Sequence, residues 1–107
     1  NINYIYLEMV TFETLNELYN TLDLYIVTSR IEGGPQSIVE CGISKTPIIS
    51  TDVGIASEIL DKKSIFDMDN FLNAEPNIET AYTNSLKLAI PNGFVKYIEL
   101  FKSLVIK

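Results

Sequence analysis

Two short, unbroken apolar runs constrain this chain more than anything else in it: Leu24-Tyr25-Ile26-Val27, and Ile48-Ile49 within Thr46-Pro47-Ile48-Ile49-Ser50. Runs of this kind mark strands covered on both faces, as in a parallel sheet. Pro47 is tolerated because it sits near the start of its strand. Between the runs lie Gly33, Gly34 and Pro35, followed by a helical stretch over 35–44. Proline fits the first turn of a helix, where its missing N–H removes no bond. A strand, a helix and a second strand in this order close a right-handed crossover with the strands parallel.

The same alternation extends along the chain. Residues 3–10 are rich in aromatic and aliphatic side chains and read as a strand. A helix begins at Thr11 or Glu13, with Leu15, Leu18, Tyr19 and Leu22 at helical spacing. A short helix is expected over 56–60, a brief strand over 64–66, and a helix over 78–90 that stops at Pro91-Asn92-Gly93. A last helix is expected over 94–105, with Phe94, Tyr97, Ile98, Phe101 and Leu104 along one face. The expected fold class is α/β, a Rossmann-like parallel sheet with helices on both faces, in one domain over 1–107. Leu18, Tyr19, Ile26, Val27, Ile38, Val39, Ile48 and Ile49 are its expected core.

Composition removes several functions. The chain has 107 residues, 47% hydrophobic and 21% charged, which suits one globular domain rather than disorder. No apolar run reaches the roughly 20 residues of a membrane helix, and no leader pattern is visible at Asn1. The net charge is −6 and the bases are scattered, so nucleic acid is not an expected partner. The single Cys41 cannot form an internal disulfide, which points to a reducing compartment. With no histidine, Ser-His and Cys-His catalysis and histidine metal sites are excluded.

Ligands of parallel sheets bind outside the carboxyl ends of the strands. Two loops leave those ends here, over 28–35 and 50–55. In the first, glycines permit close backbone approach. The helix that follows presents free N–H groups and the positive end of its dipole, suited to a phosphate or diphosphate. Pro35 has no N–H, so Gln36 and Ser37 are the natural donors. Glu32 precedes this helix start and Glu40 follows it, and carboxylates accept hydrogen bonds from vicinal sugar hydroxyls. A plainer alternative stands beside this: Gly-Gly-Pro is ordinary punctuation before a helix, Glu32 a solvated acid and Glu40 a helix-favouring one.

The pattern resembles the retaining glycosyltransferases of family 4, which have the GT-B fold. Leu18-Tyr19-Asn20-Thr21-Leu22-Asp23-Leu24-Tyr25-Ile26-Val27-Thr28-Ser29 is similar to the family's "LY…AD…v.PS" segment. Glu32 and Glu40 match its paired glutamates, and Gly33 and Pro35 its "EG.P" loop. Thr46-Pro47-Ile48-Ile49-Ser50-Thr51-Asp52-Val53-Gly54 matches "G.PVV.TDVGG", and Glu58-Ile59 the following "E.v". The resemblance implies that Glu32 acts as the catalytic-site contact to hydroxyls of the transferred sugar. It implies a donor site of Gly33, Gly34, Pro35, Gln36, Ser37, Thr51 and Gly54, with Glu40 on the ribose. It implies a UDP- or GDP-sugar donor and no metal or other cofactor. A polysaccharide or glycolipid acceptor in the cytoplasm, at the membrane surface in the full enzyme, is the family-level expectation.

Three positions depart from the family. Lys45 stands where glycine is usual after the helix and must tolerate any left-handed cap conformation. Ile55 replaces the second glycine of "VGG", and Cys41 takes the usual alanine position. Arg30 is a candidate phosphate contact or simply a surface residue.

The resemblance also implies that the 107 residues are a truncated donor domain. The acceptor domain is not among them, and neither are two strands of the order 3-2-1-4-5-6. Residues 3–10 would be strand 3 and residues 24–28 strand 4, about 14 Å apart at normal strand spacing. Open edges of that kind expose unpaired N–H groups. Either residues 3–10 therefore pair directly beside residues 24–28, or strands pair between two copies through the exposed edge. The rival expectation is a non-catalytic module acting through protein association. A flavodoxin-like domain also fits the alternation but leaves the paired glutamates unexplained.

Overall fold

The computed structural model describes residues 2–8, 10–31, 36–88, 98–100 and 102–104. Three strands, β1 (Tyr25–Val27), β2 (Ile48–Thr51) and β3 (Ile65–Phe66), form a parallel sheet in the order β1-β2-β3. Helices α1 (Phe12–Thr21), α2 (Gln36–Ile43), α3 (Ala56–Ile59) and α4 (Ile78–Leu86) alternate with them, with 3-10 turns at Lys62–Ser64 and Phe71–Asn73. This is a small α/β architecture of partial Rossmann type.

Local chemistry sets the helix ends. Thr11, not Glu13, opens α1: its side chain accepts from the Thr14 N–H at 3.2 Å. Asn77 caps α4 the same way through the Thr80 N–H at 3.0 Å. The expected helix over 78–90 is helical to Leu86 and tightens into a turn, with the Leu88 N–H on the Ser85 carbonyl at 3.0 Å. The expected stop at Pro91-Asn92-Gly93 lies outside the described residues. Of the expected last helix, residues 98–100 and 102–104 are helical.

The end of α2 carries the departure at Lys45. The Thr46 N–H bonds the Cys41 carbonyl at 2.9 Å and the Lys45 N–H bonds the Gly42 carbonyl at 3.2 Å. That bond pair is a Schellman cap, which needs a left-handed residue between helix and strand. Lys45 takes that conformation at φ 59°, without the glycine that usually relieves it. Its ammonium lies 4.5 Å from the centre of the Tyr82 ring, an attraction that offsets part of the cost.

One face of the sheet builds the core. The register sets Tyr25 beside Ile48 and Val27 beside Ser50, and side chains alternate between faces. Val27 and Ile48 pack with Tyr19, Ile38, Cys41, Ala56, Ile59 and Ala81. Gly42 allows α2 to approach α4 closely: a Cβ there would collide with the Ser85 hydroxyl and stand 2.8 Å from both the Ala81 carbonyl oxygen and the Ser85 Cβ.

Two expectations are corrected. Residues 3–10 do not form a strand among their described members, and Tyr4 and Tyr6 are 85% and 78% exposed. A strand needs a neighbour to receive its N–H and C=O groups, and among the described residues β1 pairs only with β2. Among the described residues, direct pairing of residues 3–10 beside β1 therefore does not occur. Nor is β1 covered on both faces: Ile26, expected in the core, is 52% exposed, while its register partner Ile49 on β2 is buried. Leu18 and Val39 are half-buried, while Tyr19, Val27, Ile38, Ile48 and Ile49 are buried as expected.

Candidate functional site

The carboxyl ends of β1 and β2 lie side by side, so the loops that leave them are neighbours. A hydrogen bond ties them: the Thr51 hydroxyl donates to the Ser29 carbonyl at 2.6 Å. After Thr51 the chain turns sharply, with the Val53 N–H on the Thr51 carbonyl at 2.9 Å. Gly54 takes φ 51° in this turn, a value that favours glycine. Ile55, in place of a second glycine, has φ −89° and needs no special residue.

From the first loop the chain enters α2. Glu32, Gly33, Gly34 and Pro35 lie outside the described residues. Gln36 is exposed and Ser37 half-buried in the first turn, where N–H groups lack intrahelical partners. Arg30 is exposed. Among the expected donor-site residues, the fold thus puts Thr51 and Gly54 at the carboxyl end of β2, beside the end of β1, and Gln36, Ser37 and Glu40 on one helix.

Glu40, half-buried, faces a groove between α1 and α2 of about 340 Å³. Phe12, Leu15, Asn16, Tyr19 and Ser44 line it with Glu40. Phe12 is 89% exposed, so the groove combines aromatic and aliphatic side chains with polar ones and a carboxylate. Tyr19 is 6% exposed. Burial raises its phenol pKa first, and the neighbouring Glu40 carboxylate raises it further. Cys41 is fully buried and its thiol is pushed up to about 12, first by burial and then by Glu40. It is an inert small hydrophobe.

The involvement of Tyr19 with Glu40 was not legible in the sequence, where Tyr19 reads only as core. The two residues lie 21 positions apart, and no local pattern links them. The usable signal is topological: helices whose inward faces join one core cluster are neighbours, and Tyr19 and Ile38 share that cluster. Among the described residues no group of three or more Cys, Asp or Glu is arranged to hold a metal ion.

The model of the family described as glycosyl transferases group 1 matches residues 2–90. The chain belongs to that family. Comparison with curated proteins and with solved structures returns no match. The family match includes residues 2–8, which stay outside the sheet, and ends beyond α4. Glycosyl transfer is therefore the chemistry this chain serves, with a nucleotide-sugar as donor in general. Among the described residues no helix is long and apolar enough to cross a membrane.

Proposed function

We propose that this chain is the donor-binding part of a retaining hexosyltransferase of family 4, taking a UDP- or GDP-sugar and requiring no metal. The observation that carries it is the arrangement of α2. Its first turn, Gln36 and Ser37, starts from the loop leaving β1, and Glu40 follows one turn on at the groove with α1. On this reading the diphosphate sits at the first turn, where N–H groups and the helix dipole favour negative charge. The nucleoside extends along α2 so that Glu40 accepts from the ribose hydroxyls. Glu32, with Gly33, Gly34 and Pro35, faces the transferred sugar. Stabilising the departing diphosphate is the main electrostatic task of the site. The helix start meets it only in part, so these residues alone bind donor weakly and turn over none. The acceptor, a polysaccharide or glycolipid precursor, is held by a separate domain in the cytoplasm at the membrane surface.

Calorimetric titration with UDP-glucose and GDP-mannose, with and without EDTA, tests this. Binding unaffected by EDTA and weakened by Glu40→Ala is expected. Equal heats for wild type and Glu40→Ala would remove Glu40 from the donor site.

A second reading draws on the exposed apolar segment at residues 2–8 and the edge of β1 that is unpaired among the described residues. Unpaired edges template association, so a non-catalytic module that pairs strands between two copies is the alternative. Light scattering and cross-linking decide it: a monomer at all concentrations rules out self-association.

A further inference from the structure

We propose that Tyr19 is a positioning residue for Glu40, its hydroxyl donating to the carboxylate across the α1/α2 groove and leaving the second carboxylate oxygen to the nucleoside's vicinal hydroxyls. This rests on the donor-site reading above.

Tyr19 is unusually well fixed for a groove-lining residue. Its ring is 6% exposed and stands 5.8 Å from the Tyr25 ring, tilted by 58°. Its carbonyl accepts the buried Thr46 hydroxyl at 2.6 Å. Thr46 also closes the cap of α2 through the Cys41 carbonyl. Tyr19 is thus fastened to the same helix that carries Glu40, and its ring packs against β1. The side chain of Tyr19 lines the groove that Glu40 also lines, and a phenol seated in this way presents its polar tip as a donor to a neighbouring carboxylate.

Glu40 gains from such a donor. Its side chain is long and rotamer-rich, and ordering it on ligand binding costs affinity. A donor already in place holds it before the ligand arrives. An ionised carboxylate has about four lone-pair positions, so one phenolic bond leaves room for two sugar hydroxyls. Burial and the carboxylate both keep the phenol protonated, so it remains a donor throughout the neutral range.

The test uses the full chain, Tyr19→Phe and Glu40→Gln, with UDP and GDP each titrated against its 2′-deoxy form. Tyr19→Phe keeps the ring and its packing. A hydrogen bond to a charged group sets the scale, so wild type is expected to prefer the ribonucleotide by about tenfold, and Tyr19→Phe by less than about threefold. A ligand-free readout accompanies it: with tyrosine labelled by carbon-13 at Cζ, the signal absent from Tyr19→Phe identifies Tyr19. That signal should move in Glu40→Gln. If Glu40→Gln abolishes the preference while Tyr19→Phe retains it, or if the carbon signal stays in place, the positioning role is overturned and the donor site stands. If wild type shows no preference between ribose and deoxyribose, Glu40 does not hold the ribose and both fall together.

Discussion

Replacing Gly42 by alanine adds one methyl group at the closest approach of two helices. The new Cβ would collide with the Ser85 hydroxyl and stand 2.8 Å from the Ala81 carbonyl oxygen. The hydroxyl can rotate, but the carbonyl belongs to the backbone of α4 and cannot, so α2 and α4 must separate. Overpacking of this kind costs about 1–3 kcal/mol, and the upper end applies where backbone is met. Alanine returns about 1 kcal/mol through its higher helix propensity. The expected net loss is therefore about 2 kcal/mol, or a fall in Tm of roughly 8–16 °C for a domain of this size. Urea unfolding followed by far-ultraviolet circular dichroism measures it. Ser85→Gly in the same chain removes the Cβ that also stands 2.8 Å away. The double variant should thus lose less than the sum of the single ones, as contacting residues do. An alanine variant as stable as wild type would show that α2 and α4 do not meet at Gly42.

Further outcomes follow from the same packing. Ser85 is fully buried and its hydroxyl has no hydrogen-bond partner among the described residues, so Ser85→Ala should stabilise the chain by about 1 kcal/mol. Lys45→Gly relieves a left-handed conformation worth about 1 kcal/mol but loses the attraction to Tyr82, worth about 0.5–1 kcal/mol. It should be nearly neutral alone and clearly stabilising in a Tyr82→Leu background, by the same urea titration. Thr46→Val leaves the Tyr19 carbonyl without its donor and should cost about 1–2 kcal/mol. The folded Cys41 thiol keeps its proton up to about pH 12, whereas the unfolded thiol loses it near the ordinary value of 9.0. Stability present below pH 9 should therefore decline as pH rises toward 12, less steeply in Cys41→Ala, and native Cys41 should resist alkylation at pH 8.

The alternation of strands and helices was readable because each element carries its own signal. The apolar run before Thr28 marks β1, Thr11 marks a helix start, and Pro47 marks the entry to β2. Partners of those elements were not readable from periodicity. Residues 3–10 have every local property of a strand, yet a strand exists only when another receives its hydrogen bonds, and among the described residues β1 offers its ladder to β2 alone. The exposure of Ile26 was equally unreadable, because burial of a strand face depends on what packs over it and not on the strand's own run. Positions at the candidate site follow from the crossover rule, which brings Thr51 and Gly54 next to the loop leaving β1. Contacts between elements, such as Tyr19 with Glu40 or Gly42 with Ser85, depend on helix rotation and depth, which no local pattern encodes.

The bond from the Thr51 hydroxyl to the Ser29 carbonyl has a dynamic consequence. It staples two connectors that would otherwise fluctuate separately, so displacing one pulls on the other. Amide exchange in residues 28–31 and 52–55 should then proceed through one shared opening event. Thr51→Val should split that event into two, letting each connector respond to a bound molecule on its own.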